Sequence, residues 1–169
     1  MSDILWKKDD YVFSYRVAGV CIQNGCVLLQ KPTNDTAFAF PGGHVAFGET
    51  HAQTLIREFE EEMGMSISVG ELMWVGELFF PWGERRCHQI CLYYAVKPLD
   101  SAISATGMFM GQEHLSGRNF EMEFHWMPME KLGRIEVYPI RTAELMARMG
   151  VTHFIHHETE AEQREIILE

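Results

Sequence analysis

The sequence predicts an α+β domain built in layers, and three observations carry that expectation. Strand-like and helix-like segments mix along the chain without the regular strand–helix–strand alternation of a doubly wound sheet. Asn24-Gly25, set between two apolar runs, is the strongest short hairpin signal in the sequence. An amphipathic segment beginning at about residue 51 has apolar side chains at helical spacing.

Taken in order, "YRVAGVCIQNGCVLLQKP" (15–32) reads as two strands joined at Asn24-Gly25, and "PTNDTAFAF" as a loop leading to Pro41-Gly42-Gly43. Thr50, with Gln53 three residues on, forms a capping-box pattern that starts the helix. Its apolar stripe is Ala52, Leu55, Ile56, Phe59 and Met63. "ISVGELMWVGELFF" (67–80) and "RRCHQICLYYAVKP" (85–98) read as long strands around the turn Pro81-Trp82-Gly83-Glu84. Residues 99–119 have little periodicity and read as a long loop, a kind that is often functional. "FEMEFHWM" (120–127) alternates as a strand, with Phe120, Met122, Phe124 and Trp126 on one face. "MPMEKLG" reads as a short helical turn, 140–150 as a helix closed by Gly150, and the remainder as a strand with a charged end.

Bulk properties narrow the function. At 169 residues the chain is expected to form one domain, 1–169, with a sizeable core. No apolar run approaches the length of a membrane span, and the N-terminus does not read as a secretory signal, so a cytoplasmic location is expected. The net charge of −10 argues against a general DNA or anionic-membrane binder. An acidic protein that handles phosphates needs a cation to offset repulsion from its own carboxylates. Cys21, Cys26, Cys87 and Cys91 form no Cys-x-x-Cys pair and read as buried small hydrophobes. A zinc site from Cys87, His88 and Cys91 is disfavoured, because strand alternation splays those side chains onto both faces.

The helix carries the chemistry. Glu58, Glu61 and Glu62, at i, i+3 and i+4, share an arc beside the apolar stripe, whereas Glu60 points elsewhere and is solvated. Partly sheltered carboxylates raise one another's pKa unless they share protons or meet a hard cation. An oxygen-only set suits Mg²⁺ or Mn²⁺ rather than zinc. Gly43, five residues, Glu49, seven residues, then Arg57-Glu58-Phe59-x-Glu61-Glu62-x-Gly64-Met65 reproduces G-x5-E-x7-R-E-U-x-E-E-x-G-U at every position. Its chance frequency is on the order of 10⁻⁹ per window.

In this stretch the chain resembles the Nudix hydrolases, with weaker likeness from about residue 11 to 150. The resemblance implies an α/β/α sandwich with a mixed sheet between helices. It also implies metal-dependent hydrolysis of a nucleoside diphosphate linked to another group: a nucleotide sugar, an ADP-ribose-like compound or a nucleoside triphosphate. By position, Glu58, Glu61 and Glu62 are implied metal ligands, joined by a main-chain carbonyl at Gly43, and Gly42 allows close backbone approach. Arg57 and Glu49 are implied to orient the glutamates, and Glu58 or a later acid to activate water. Glu113, in the irregular 99–119 segment, is the first candidate for that acid, ahead of Glu121 and Glu123. His44, Lys31, Arg85 and Arg86 are candidate substrate contacts; His153, His156 and His157 are given no role. Pro81 stands sixteen residues past the motif, where ADP-ribose hydrolases of the family often have proline, and equally where a hairpin turn wants one. The expected partner is a small nucleotide diphosphate substrate, with no membrane or DNA; a homodimer is compatible with this reading. The competing reading is a non-catalytic nucleotide-sensing domain on the same scaffold, which ordinarily shows an eroded motif or an added DNA-binding region. An isomerase or RNA-cap hydrolase stands further off, since no basic strip suits RNA.

Overall fold

The structure, a computed structural model, describes residues 2–100, 104–115, 117–159 and 161–168, with backbone alone at 114 and 115. Among the described residues, twelve strands form a mixed sheet: β1 Leu5–Lys8, β2 Tyr11–Gln23, β3 Cys26–Pro32, β4 Phe38–Ala39, β5 Gly42–His44, β6 Ile67–Trp82, β7 Arg85–Pro98, β8 Met108–Leu115, β9 Arg118–Pro128, β10 Val137–Tyr138, β11 Thr152–Glu158 and β12 Gln163–Leu168. Helix α1 spans His51–Met63 and helix α2 spans Thr142–Met146. Strand β2 runs parallel to β7 and turns at its far end into the β3–β9–β8 arm, while β6 pairs antiparallel with β7 and parallel with β11.

Two apolar clusters place helices on opposite faces. On one, Leu55 and Phe59 of α1 pack against Val17 and Cys21 of β2 and Phe124 and Trp126 of β9. On the other, Leu132 of a 3-10 turn and Leu145 of α2 pack against Ala18, Tyr93, Trp74 and Phe154. This is the expected α/β/α layering. Burying a side chain such as Leu55 or Phe59, both at 0% exposure, stabilises by roughly 1.5–3 kcal/mol each. Gly19 makes room for one of them, since a Cβ there would stand 2.7 Å from the Phe59 ring.

Local signals were realised where backbone chemistry was explicit. Asn24 and Gly25 both have positive φ, as a tight hairpin turn requires. Thr50 forms both capping-box bonds, and Gly64, left-handed at φ 62°, ends α1. Cys21, Cys87 and Cys91 are buried, with His88 exposed between the last two, and all four cysteines are free thiols.

Several expectations are corrected. Residues 108–115 are not loop: they form β8, an edge strand that among the described residues pairs with β9 alone. Its alternation is masked because Met108 and Met110 face solvent and Gly111 interrupts the pattern. Residues 101–103 of the same expected loop lie outside the described residues. The helix expected over 140–150 stops at Met146, the last of its residues packed on the core, and Met149 is 98% exposed. Ile56, assigned to the core stripe, is 45% exposed, and Thr54 and Glu62 are buried in its stead. Pro81 belongs to β6 opposite Arg86, and the turn is Gly83-Glu84 alone. The charged tail is a strand, β12, paired with β11. Among the described residues, no helix is long and apolar enough to cross a membrane.

Candidate active site

Helix α1 presents its acids through one arginine. Arg57 Nε and Nη2 donate to the two oxygens of Glu49 at 2.9 Å each, and Nη1 donates to Glu58 at 2.6 Å and Glu61 at 3.2 Å. Two-pronged pairing of this kind fixes direction as well as distance. Glu49 is further held by Thr54 Oγ1 at 2.8 Å, and hydrogen bonds from Arg57 keep its carboxyl below the usual range. Glu58 titrates above the usual range, because burial outweighs the nearby Arg57 charge.

Glycines bring backbone to these acids. A Cβ on Gly43 would stand 2.1 Å from the Glu58 carboxyl carbon, so the carboxylate lies against bare main chain. A Cβ on Gly42 would meet the Val17 carbonyl oxygen at 2.1 Å, which lets β5 sit close on β2. On β8, a Cβ on Gly111 would meet the Glu62 carbonyl oxygen at 2.3 Å. That close approach carries Glu113, two residues along the strand, towards Glu62. Glu62 is 5% exposed and its Oε2 is buried without a hydrogen-bond partner. Burial, then the charges of Glu58 and Glu113, push its carboxyl up to about 9.

Beside this cluster opens a cleft of about 530 Å³. Arg16 and Glu113 line one end, 3.9 Å apart, and Arg16 also donates to the Gly42 carbonyl at 2.7 Å. The Arg16 guanidinium is near enough to Glu113, Glu62 and Glu58 for each to stabilise its charge. Phe38, Phe80, Trp82 and Tyr138 supply aromatic walls. Gln89 also lines the cleft, and its Oε1 accepts from Ser14 Oγ at 3.0 Å. His44 Nε2 lies 3.1 Å from the same hydroxyl. With the Ser14 proton committed to Gln89, His44 donates from Nε2. Burial, with Arg16 nearby, lowers His44 to about 4, so the ring is neutral near pH 7.

The structure thus brings together Glu49, Arg57, Glu58, Glu61, Gly43, Glu62 and Glu113. His44 is a buried support beneath the cleft and does not line it. Lys31 is engaged by Glu123 at 3.0 Å and by the Asp35 carbonyl at 3.0 Å. Arg85 and Arg86 stand exposed at the β6–β7 hairpin, Arg85 bonded to the Asp9 carbonyl and Arg86 over the Tyr11 ring. None of these three cations lines the cleft. Glu121 is exposed, and Glu123 is shared between Lys31 and His125. Sequence reasoning missed Arg16, whose signal was a lone cation inside the apolar run of β2.

Glu58, Glu61 and Glu62 do not converge on one point as expected. Among the described residues, no three His, Cys, Asp or Glu side chains are already gathered to hold a metal ion. Arg57 is the reason: it draws Glu58 and Glu61 to itself while Glu62 stays unpaired. The donor chemistry nevertheless fits a hard divalent cation. An orphaned carboxylate oxygen, a second carboxylate against bare main chain at Gly43, and further acids close by are an all-oxygen set with surplus negative charge.

Comparison with known proteins agrees with this geometry. A model of the NUDIX domain matches residues 14–149. The chain is 32% identical over 96 residues, 56% of its length, to the MutT4 protein of Mycobacterium tuberculosis, and spans 34% of that relative's own length. A MutT protein from Bacillus halodurans superposes with a TM-score of 0.62 at 13% identity, over 91% of this chain and 97% of that one. A MutT NUDIX hydrolase from Burkholderia pseudomallei does so at 0.55 and 20%, over 81% and 98%. An ADP-ribose pyrophosphatase from Streptococcus suis gives 0.53 and 11%, over 86% and 98%. At such identities the likeness is one of fold.

Proposed function

The chain belongs to the Nudix family, and from that premise we propose that it is a divalent-metal-dependent pyrophosphohydrolase acting on a nucleoside diphosphate linked to another group. One observation carries the reading: Glu62, buried and with Oε2 unpartnered, is crowded by the charges of Glu58 and Glu113, and Glu113 lines an aromatic cleft. A carboxylate so placed is costly by itself and favourable beside a cation.

Glu58, Glu61 and Glu62, with a main-chain carbonyl at Gly43, would hold Mg²⁺ or Mn²⁺. Such an ion, when bound, neutralises diphosphate charge and acidifies water. Arg57, anchored on Glu49, orients Glu58 and Glu61. Arg16 meets a phosphoryl oxygen at its end of the cleft. Glu113, loosely paired with Arg16 at 3.9 Å, accepts the proton of the attacking water. The aromatic walls exclude bulk water from the group beyond the phosphates. Pro81, exposed in β6 and outside the cleft lining, lends no support to an ADP-ribose preference.

The test is turnover of a nucleotide panel with Mg²⁺ and with Mn²⁺, comparing the wild type with Glu62→Gln. The substitution should cut kcat by about a hundredfold or more while leaving the fold intact. Equal turnover in the two proteins, or no hydrolysis of any panel member by the wild type, removes this reading.

A further inference from the structure

Two polar side chains of the cleft lining have no role in this chemistry. Gln30, on β3, is 4% exposed, and its Oε1 has no hydrogen-bond partner. His156, on β11, is 1% exposed, and neither ring nitrogen makes a hydrogen bond. Both line the cleft. The nearest carboxylates stand off: Glu158 Oε2 is 3.5 Å from Nε2, and Glu165 Oε2 is 3.5 Å from Nδ1. Glu165 is committed elsewhere, accepting from the Ile140 and Arg141 amides at 3.1 and 2.9 Å. Buried polar groups without partners are rare and destabilise the fold unless something satisfies them. When two face the same cavity from separate strands, a ligand is the economical explanation.

We propose that Gln30 and His156 are specificity-determining residues that read the hydrogen-bonding edge of an uncharged, planar nucleobase. The assignment rests on the hydrolase reading only for placing the phosphates at the Arg16 end. The cleft lining excludes other occupants. Asp35, Glu113, Glu136 and Glu158 face one cation, Arg16, so a second anionic group such as a sugar phosphate is repelled. Phe38, Phe80 and Tyr138 offer ring faces and edges to a flat ring, whereas a sugar would leave them poorly covered. Gln30 Oε1 is an acceptor and requires an N–H on the base. His156 offers two ring nitrogens that make no hydrogen bond within the protein. Its Nε2 lies on the side of Glu158, which also lines the cleft. β11 lies beyond the 14–149 span matched by the family's domain model, so His156 is a reader contributed from outside the shared region.

The experiment is calorimetric titration of the whole 169-residue chain, free of metal, with the four common nucleoside monophosphates and with ribose 5-phosphate. At least one monophosphate should bind about tenfold or more tightly than ribose 5-phosphate, the margin of one or two well-made hydrogen bonds. His156→Phe and Gln30→Met should each remove most of that margin without changing ribose 5-phosphate binding. The proposal is overturned if ribose 5-phosphate binds as tightly as every monophosphate, or if folded variants keep the full margin. The wild-type comparison decides without either variant, and melting curves establish which variants are folded. Because the readout is binding, the outcome is separable from hydrolysis: base discrimination without turnover keeps the readers and removes the hydrolase, and turnover without discrimination does the reverse.

Discussion

Arg57 and Glu49 are joined by two parallel hydrogen bonds of 2.9 Å, which leaves the Nη1 edge of the guanidinium to hold Glu58 and Glu61. One planar group therefore sets three carboxylates. Lysine supplies a point charge without that fork. Arg57→Lys should lower kcat/KM by about ten- to a hundredfold with a small change in Tm, read by steady-state kinetics and thermal melting. A variant with wild-type kinetics would show that the fork does not orient the acids.

Gly43 tests the contact between main chain and acid. A methyl group there would collide with the Glu58 carboxyl at 2.1 Å, and the flexible side chain is what must move. Gly43→Ala should therefore reduce kcat by about a hundredfold while costing less than about 2 kcal/mol of stability. Loss of folding instead of activity would place the glycine's role in the sheet.

His44 predicts an acid limb in stability. The unfolded chain protonates this imidazole near 6.5, whereas in the folded chain burial and Arg16 hold it neutral down to about 4. Between those values the unfolded state binds more protons. The His44 contribution is therefore complete above pH 6.5 and is lost as pH falls towards 4, by roughly 2–4 kcal/mol. His44→Gln, which keeps a donor towards Ser14, should flatten that part of the curve in urea titrations taken at each pH. A parallel curve for the variant refutes the assignment.

Glu62 predicts a metal-linked stability. In metal-free protein at pH 8 its buried carboxyl disfavours folding, because the unfolded chain ionises it freely while the folded chain resists up to about 9. Millimolar Mg²⁺ or Mn²⁺ should raise Tm by several degrees, and chelation should reverse the rise. Glu62→Gln should melt higher than the wild type without metal and lose most of the metal increment. An increment of unchanged size in the variant would move the ion away from Glu62.

Helix α1 was legible because its signals are local. Thr50 and Gln53 cap it, Gly64 ends it, and the acids fall at turn spacing. What the sequence could not convey was which carboxylates would be captured by a protein cation. Arg57 and Glu58 are neighbours in any reading, but Glu49 is eight residues away, and the shared geometry appears only once both are placed. Glu113 was singled out for the wrong reason, as a loop acid. It reaches the site from an edge strand because Gly111 admits the end of α1. Arg16 is the lone cation of β2 and His156 one of three histidines in β11, and neither stood out because the surroundings of each come from strands distant in sequence.

The hairpin β11–β12, residues 152–168, continues the sheet from β6 and lies past the 14–149 match, while every acid held by Arg57 sits before residue 62. Of the two proposed readers, His156 therefore lies outside the stretch that carries the acids, whereas Gln30 lies within it. If His156 reads substrate as proposed, exchanging this hairpin for one of another composition would alter part of the choice of molecule while leaving the acids around Arg57 in place.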